Sequence, residues 1–298
     1  MQDLKGKTLF ITGGASGIGF GITQVLLDAG MNAVIGDIRQ DHIDEALDFF
    51  EKKQQRQRVH GIKVDITDRD AMAKAADETE RKFGKVHVVI NNAGVDPSGP
   101  FKQATYGDWD FAMGVNLGGV INGVQTFLPR ILKHKEGGHI VSTASLAGLV
   151  TMPAQMAMYA TAKAAVIAFM ESIRGELAAD NIGVSVLCPG PIKSRIHESG
   201  QNRPDKFGTP SSAFKTAADQ LAKREVSNLW MEPTEVGEMV KRAILNNELY
   251  IITHGEWKDA VAARLEAIMA AMPKSKNVDY SASFAQSAAK VPESPRKS

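Results

Sequence analysis

The chain has 298 residues, 43% of them hydrophobic, enough to bury a full core as two domains or as one large α/β domain. With 35 basic against 34 acidic residues its formal charge is +1, so no global field draws it to nucleic acid or to an anionic membrane. The single cysteine, Cys188, excludes an intrachain disulfide, and the seven histidines lack the paired spacing of a zinc site, so no metal is assigned.

The first residues lack the basic-then-apolar design of a signal peptide, and no uninterrupted apolar run of about 18 residues follows, so a soluble cytoplasmic protein is expected. From residue 7 to residue 254, short β-branched runs alternate with longer amphipathic ones. Strands are expected at 7–12, 33–37, 59–65, 86–91, 139–142, 183–188 and 249–253, most of them nearly continuous apolar runs suited to burial on both faces. Helices are expected at 17–29, 41–53, 69–83, 106–133, 156–179 and 234–246. Right-handed crossovers then give a doubly wound, seven-stranded parallel sheet of the Rossmann type. The basic stretch at 52–58 reads as a solvated helix end.

Two segments break the rhythm. Residues 192–231 form a long polar insertion after a strand's carboxyl end, the place for a mobile substrate lid. Residues 256–272 read as one more amphipathic helix and 273–298 as a loose or docked tail. The domain reading is therefore one α/β domain over 1–255, with a C-terminal extension over 256–298.

The first strand runs into Thr12-Gly13-Gly14-Ala15-Ser16-Gly17-Ile18-Gly19 and then a helix. Glycines at 13, 17 and 19 allow a tight turn and close approach to a pyrophosphate at the helix N-terminus. The second strand ends in Gly36-Asp37, where a carboxylate would bond the adenosine ribose hydroxyls. Asp37 would repel the extra phosphate of NADP, so NAD is the expected cofactor; Arg39, two residues on, keeps NADP as the second choice.

Tyr159 and Lys163 stand four apart on an expected helix and so share a face. A phenol titrates near pH 10, and a fixed neighbouring ammonium would pull that value towards the working pH, making a base. The bland alternative is a solvated helix face.

Taken in order, these residues resemble the short-chain dehydrogenase/reductase family along nearly the whole core. The resemblance adds the adenine-side Asp65 with Ile66, the Asn91-Asn92-Ala93-Gly94 strand end, and Pro189-Gly190 with Ile192 and Ser194 near the nicotinamide carboxamide. It implies a tetrad of Asn116, Ser145, Tyr159 and Lys163: Tyr159 as base, Lys163 holding the phenolate, Ser145 orienting the substrate oxygen, Asn116 positioning a relay water. Each has a structural alternative: a turn hydroxyl for Ser145, a helix-bending side chain for Asn116, a helix cap for Asp65. More loosely, Val120-Ile121-Asn122-Gly123, 203–209 and 249–252 look like the branch containing the Cα-dehydrogenases of lignin-derived aryl ethers.

The expected activity is NAD(P)-linked interconversion of a secondary alcohol and a ketone. The uncharged run 146–158, with three methionines, suits a large hydrophobic or aromatic alcohol as a pocket wall, or equally plain packing. Arg195 and Arg203 in the lid are the candidates for an anion clamp. A homodimer through helices 106–133 and 156–179 is expected, a tetramer being possible. The same chemistry on a steroid, or a dinucleotide sensor without chemistry, are the rival functions.

Overall fold

A computed structural model describes residues 1, 3–223 and 227–273. Seven parallel strands lie in the order β3-β2-β1-β4-β5-β6-β7: β1 (Thr8–Thr12), β2 (Asn32–Asp37), β3 (Val59–Lys63), β4 (Val88–Asn91), β5 (Gly138–Thr143), β6 (Ile182–Cys188) and β7 (Tyr250–Ile252). The order reverses between β1 and β4, which opens a crevice at their carboxyl ends. Helices α1 (Gly17–Asp28), α2 (Gln40–Lys52), α3 (Arg69–Phe83), α4 (Tyr106–Met113), α5 (Gly119–His134), α6 (Ala157–Leu177), α7 (Ser212–Ala222), α8 (Pro233–Asn246) and α9 (Lys258–Ala270) complete the chain.

The strands are apolar on both faces because both faces are covered. On one, Phe10, Val89 and Ile140 meet Phe127 of α5 and Met170 of α6, with Phe10 and Phe127 stacked at 4.3 Å between centroids. On the other, Leu9, Ile11 and Val88 meet Ile22 and Leu26 of α1 and Val240 and Ile244 of α8. The part of the 52–58 stretch read as solvent-facing does structural work instead: Arg58 Nη1 donates to the carbonyls of Leu27 and Met31, closing the end of α1.

Two expected elements differ. The single helix over 106–133 is broken into α4 and α5 by a wide π turn, Gly114–Gly118, because Asn116 turns inward there to bond the loop after β4. The insertion at 192–231 contains α7, capped by the Ser211 hydroxyl, which accepts from the Phe214 amide at 3.4 Å. Its two ends meet at a parallel bridge between Ile192 and Met231, so it leaves and rejoins the body at one point. The tail over 274–298 lies outside the described residues.

His139 on β5 is fully buried, with Nε2 on the Ser185 hydroxyl at 2.8 Å. Burial first, and then the charges of the chain's amino terminus and Arg174, push its pKa down to about 3 from 6.5. The unfolded chain therefore takes the proton first, and stability falls as pH drops from about 6.5 towards 3, by up to about 1.4 kcal/mol per pH unit. Urea unfolding at pH 7.5 and 5.5 should lose about 1 kcal/mol more in the parent than in His139→Gln; equal losses would show that His139 does not set this slope.

Candidate active site

The turn after β1 is held by side chains of β4. Thr12 Oγ1 accepts from the amides of Asn92 and Ala93 at 3.0 and 3.1 Å, and Asn92 Nδ2 donates to the carbonyls of Thr12 and Gly13 at 3.2 and 3.1 Å. A Cβ on Gly19 would lie 2.1 Å from the Gly13 oxygen and 2.5 Å from Asn92 Nδ2, so only glycine lets α1 start this close to the strand ends. Ser16 at the N-cap makes no side-chain cap bond, which leaves the first amides of α1 facing the cavity as a seat for an anion.

That cavity, about 590 Å³, runs along the carboxyl ends of the strands. It is lined by Gly13, Ser16, Gly17, Ile18, Asp37, Asp65, Ile66, Asn92, Ala93, Gly94, Ser145, Tyr159, Lys163, Pro189, Gly190, Ile192 and Ser194. Of the residues singled out from sequence, Gly19 and Asn116 lie behind the lining.

Asp37, 8% exposed, accepts from the amides of Ala15 at 3.4 Å and Arg39 at 3.1 Å. Burial raises its pKa, against the opposing bonds from Arg39 and Ala15 and the nearby His42. Arg39 is turned to Asp41 (Nε to Oδ1, 2.8 Å) and to Asn202 Oδ1 at 3.4 Å. Asp65 takes both the amide and the hydroxyl of Thr67, at 2.9 and 2.6 Å, a turn-capping role, and its second oxygen takes Lys206 Nζ at 2.9 Å. A dinucleotide thus fits the residues present: a tight glycine turn, an uncapped helix start and a carboxylate at the ribose end.

Asn116 is fully buried in the π turn, its Oδ1 accepting from the Val95 amide at 3.0 Å and its Nδ2 donating to the Val95 carbonyl at 2.9 Å. A Cβ on Gly94 would lie 2.9 Å from Asn116 Oδ1 and 3.3 Å from Lys163 Nζ, which measures how tightly the asparagine and lysine close on the strand end. Such inserted turns are common where a helix must aim one side chain inward. Ser145 Oγ accepts from the Ala147 amide at 3.1 Å, so the turn-building role anticipated as an alternative is present alongside its place on the cavity wall.

Tyr159 and Lys163 share the sheet-facing side of α6, 9% and 2% exposed. Lys163 Nζ donates to the Thr143 carbonyl at 2.9 Å and sits 5.7 Å from the Tyr159 ring centroid. Burial pushes its pKa down to about 8. The phenol, expected from sequence to be drawn down by the lysine, is instead raised: burial dominates, the Asp96 charge adds to it, and the hydrogen bond with Ser145 opposes both. The physical reason is burial of the phenol, while the Lys163 ammonium donates to a backbone carbonyl. Burial likewise pushes Cys188 up to about 12, so it stays a thiol under Lys163.

The 192–231 insertion docks on α4. Arg203 Nη1 meets Asp108 Oδ1 at 2.6 Å with the two side chains 8% and 0% exposed, and Nη2 donates to the Phe207 carbonyl at 2.6 Å. Burial works to raise the Asp108 carboxyl, but bonds from Thr105 and Arg203 hold it below the usual range. Arg203 is therefore not the anion clamp anticipated for it; the buried carboxylate of Asp108 claims it. Arg195 lines the cavity but leans to Glu45 at 3.5 Å. Arg203→Ala strands a buried carboxylate and should cost about 3 kcal/mol in urea unfolding, with most of it recovered in Asp108→Leu/Arg203→Met. A loss under about 1 kcal/mol would contradict the tie.

The run 146–158 sends Met152 and Met156 to the cavity, whereas Phe111, Asp96, Trp230 and Trp257 are lining residues that sequence reasoning did not single out. Two of the chain's three tryptophans line the cavity, Trp230 at the end of the insertion and Trp257 at the start of the extension that Arg264 anchors to the Gly148 carbonyl at 2.9 Å. The position of Trp257 just after β7 was an available signal; Trp230, at the end of the insertion and just before α8, had none of that kind. Among the described residues no His, Cys, Asp and Glu cluster suits a metal ion.

Comparison with known proteins agrees with this geometry. The chain is 40% identical over 271 residues to the C alpha-dehydrogenase of Sphingobium sp. strain SYK-6, covering 90% of this chain and 87% of that one. The apo structure of LigO from the same strain superposes with a TM-score of 0.76 at 38% identity, covering 98% of this chain and 100% of that one. A short-chain dehydrogenase/reductase from Burkholderia phymatum in complex with NAD superposes at 0.84 with 30% identity, covering 94% and 100%. Residues 7–204 match the short chain dehydrogenase model, and the chain is an oxidoreductase of the short-chain dehydrogenase family.

Proposed function

We propose that this enzyme oxidises a bulky aromatic secondary alcohol to its ketone with NAD, a lignin-derived aryl ether being the leading substrate type. The observation that carries the reading is the lining that Tyr159 and Ser145 share with Phe111, Met152, Met156, Trp230 and Trp257, which give the cavity apolar, aromatic surface. The similarity to a C alpha-dehydrogenase supports the substrate class. NAD is favoured over NADP because Asp37 is buried at the ribose end while Arg39 is held by Asp41 and Asn202.

A nicotinamide held in this cavity by the glycine turn, the α1 start and Asp37 would supply the hydride acceptor for the carbinol carbon. Tyr159 as phenolate removes the hydroxyl proton, and Ser145 donates to the same oxygen as charge builds on it. Lys163 supplies the fixed positive charge beneath the phenol. Asn116 braces the strand end against which Lys163 lies, and passes no proton itself with both carboxamide atoms on Val95. The buried phenol needs added positive charge nearby to ionise, which ties proton removal to a loaded site.

The enzyme is read as one catalytic domain over 1–255 with its lid at 192–231, acting in the cytoplasm as a homodimer. The stretch Ala154–Asp180 is long and apolar enough to cross a membrane by composition alone, yet it carries Tyr159 and Lys163 against the sheet. Its outer face, Thr161, Ala168, Ser172 and Gly175, is exposed, as are Ile121 and Leu132 of α5, which suits packing on a second copy. Reduction of NAD and NADP against bulky aryl, steroid and small aliphatic secondary alcohols tests the reading. NAD turnover led by the aryl alcohols is expected; preference for a steroid or for NADP would overturn that part of it.

A further inference from the structure

The 192–231 insertion also reaches the half of the cavity where β2 and β3 end. It starts on the glycine turn, where a Cβ on Gly17 would lie 2.9 Å from Ser194 Cβ. Its next residues, through the tight turn Ile196–Asn202, line the cavity with Arg195, Glu198 and Asn202 as Asp37 and Arg39 do from the end of β2. Three contacts fix it there. Arg195 leans to Glu45 of α2 at 3.5 Å, Asn202 Oδ1 accepts from Arg39 Nη1 at 3.4 Å, and Lys206 Nζ donates to Asp65 Oδ2 at 2.9 Å.

The charges brought together here do not balance. Arg39 is turned to Asp41, Arg195 to Glu45 and Lys206 to Asp65, which leaves the carboxylates of Asp37 and Glu198 over. Histidines stand by both, His42 near Asp37 and His197 Nε2 at 3.7 Å from Glu198, but an imidazole is not a permanent cation. The pair of Arg39 and Asp41 is exposed, and such surface pairs hold weakly, so a dianionic 2′-phosphate would draw the guanidinium away if nothing else opposed it. Glu198 opposes it. Of the carboxylate charges acting on Arg39, that of Glu198 ranks after Asp41 and ahead of Asp37, so a phosphate that took Arg39 would meet the field of Glu198.

We propose that Glu198 is a second carboxylate that excludes a 2′-phosphate, so that the choice of NAD is shared between Asp37 on β2 and the insertion. The inference rests on the NAD reading above. With the Glu198 side chain 35% exposed its field is partly screened, and its share should be roughly 3- to 10-fold in the ratio of the NADPH and NADH dissociation constants.

Fluorescence titration with NADH and NADPH, which differ only in the 2′-phosphate, tests this without turnover. The parent should bind NADPH at least roughly 10-fold more weakly than NADH. Glu198→Gln keeps the size of the side chain and should tighten NADPH by roughly 3- to 10-fold while NADH stays within about twofold. Glu266→Gln removes the same charge from the exposed face of α9, outside the cavity lining, and should leave both affinities as in the parent. An unchanged ratio in Glu198→Gln, or an equal fall in Glu266→Gln, overturns the inference and leaves the NAD reading standing. NADPH bound by the parent as tightly as NADH overturns the NAD reading and the inference with it.

Discussion

Tyr159→Phe should lose about 10²- to 10⁴-fold in kcat, the range that one positioned acid–base group contributes, while NAD affinity stays within about twofold of the parent. The substitution removes one oxygen from a ring that is 9% exposed and packed in α6, so it opens almost no cavity. It even deletes a buried hydroxyl, and thermal stability should hold. Steady-state oxidation of an aryl alcohol measures the loss, and fluorescence titration with NADH measures the binding. Retention of more than about a tenth of kcat would remove the phenol from the base's role.

Lys163→Met should abolish most turnover and make the protein more stable, two effects of opposite sign from one residue. The ammonium is 2% exposed, and its pKa is pushed down to about 8 from 10.5 by burial. The unfolded chain holds that proton more tightly, so the folded state bears a penalty that grows as pH falls from 10.5 to about 8 and is complete below it. The penalty is about 3 kcal/mol, of which losing the bond to the Thr143 carbonyl returns about 1. A net gain of about 1–2 kcal/mol at pH 7 should appear as a rise of roughly 2–5 °C in Tm, shrinking as pH rises from about 8 towards 10.5. A variant that melts lower at pH 7 would mean that the lysine is accommodated by more than its carbonyl.

The fold was legible because its signals are local and repeated. Each buried strand is an apolar run bounded by a turn, and the glycines of residues 13–19 mark the switch point between β1 and β4 before any contact is known. Tyr159 and Lys163 were legible through helical spacing, and Ser145 and Asn116 through the resemblance that joined them.

What escaped lies in contacts between distant segments. The π turn at Gly114–Gly118 exists because Asn116 meets Val95, 21 residues away, which periodicity over 106–133 cannot register. Helix α7 was hidden in a polar, alanine-rich stretch whose main buried anchor is Phe214. Arg203 is held by Asp108, 95 residues earlier, a partner that the sequence around the insertion does not mark. The direction of the Tyr159 shift depended on burial and on Asp96, neither of which the spacing of four carries.

The central claim is that this cavity moves a hydride from a carbinol carbon to a nicotinamide. The most direct measurement uses an aryl alcohol deuterated at the carbinol, with NAD, and follows both products by mass spectrometry. The account predicts that the deuterium appears in NADH in step with formation of the ketone, and that neither appears with Tyr159→Phe over the same time. Binding of NAD and of the aryl alcohol without any transfer of label would contradict it.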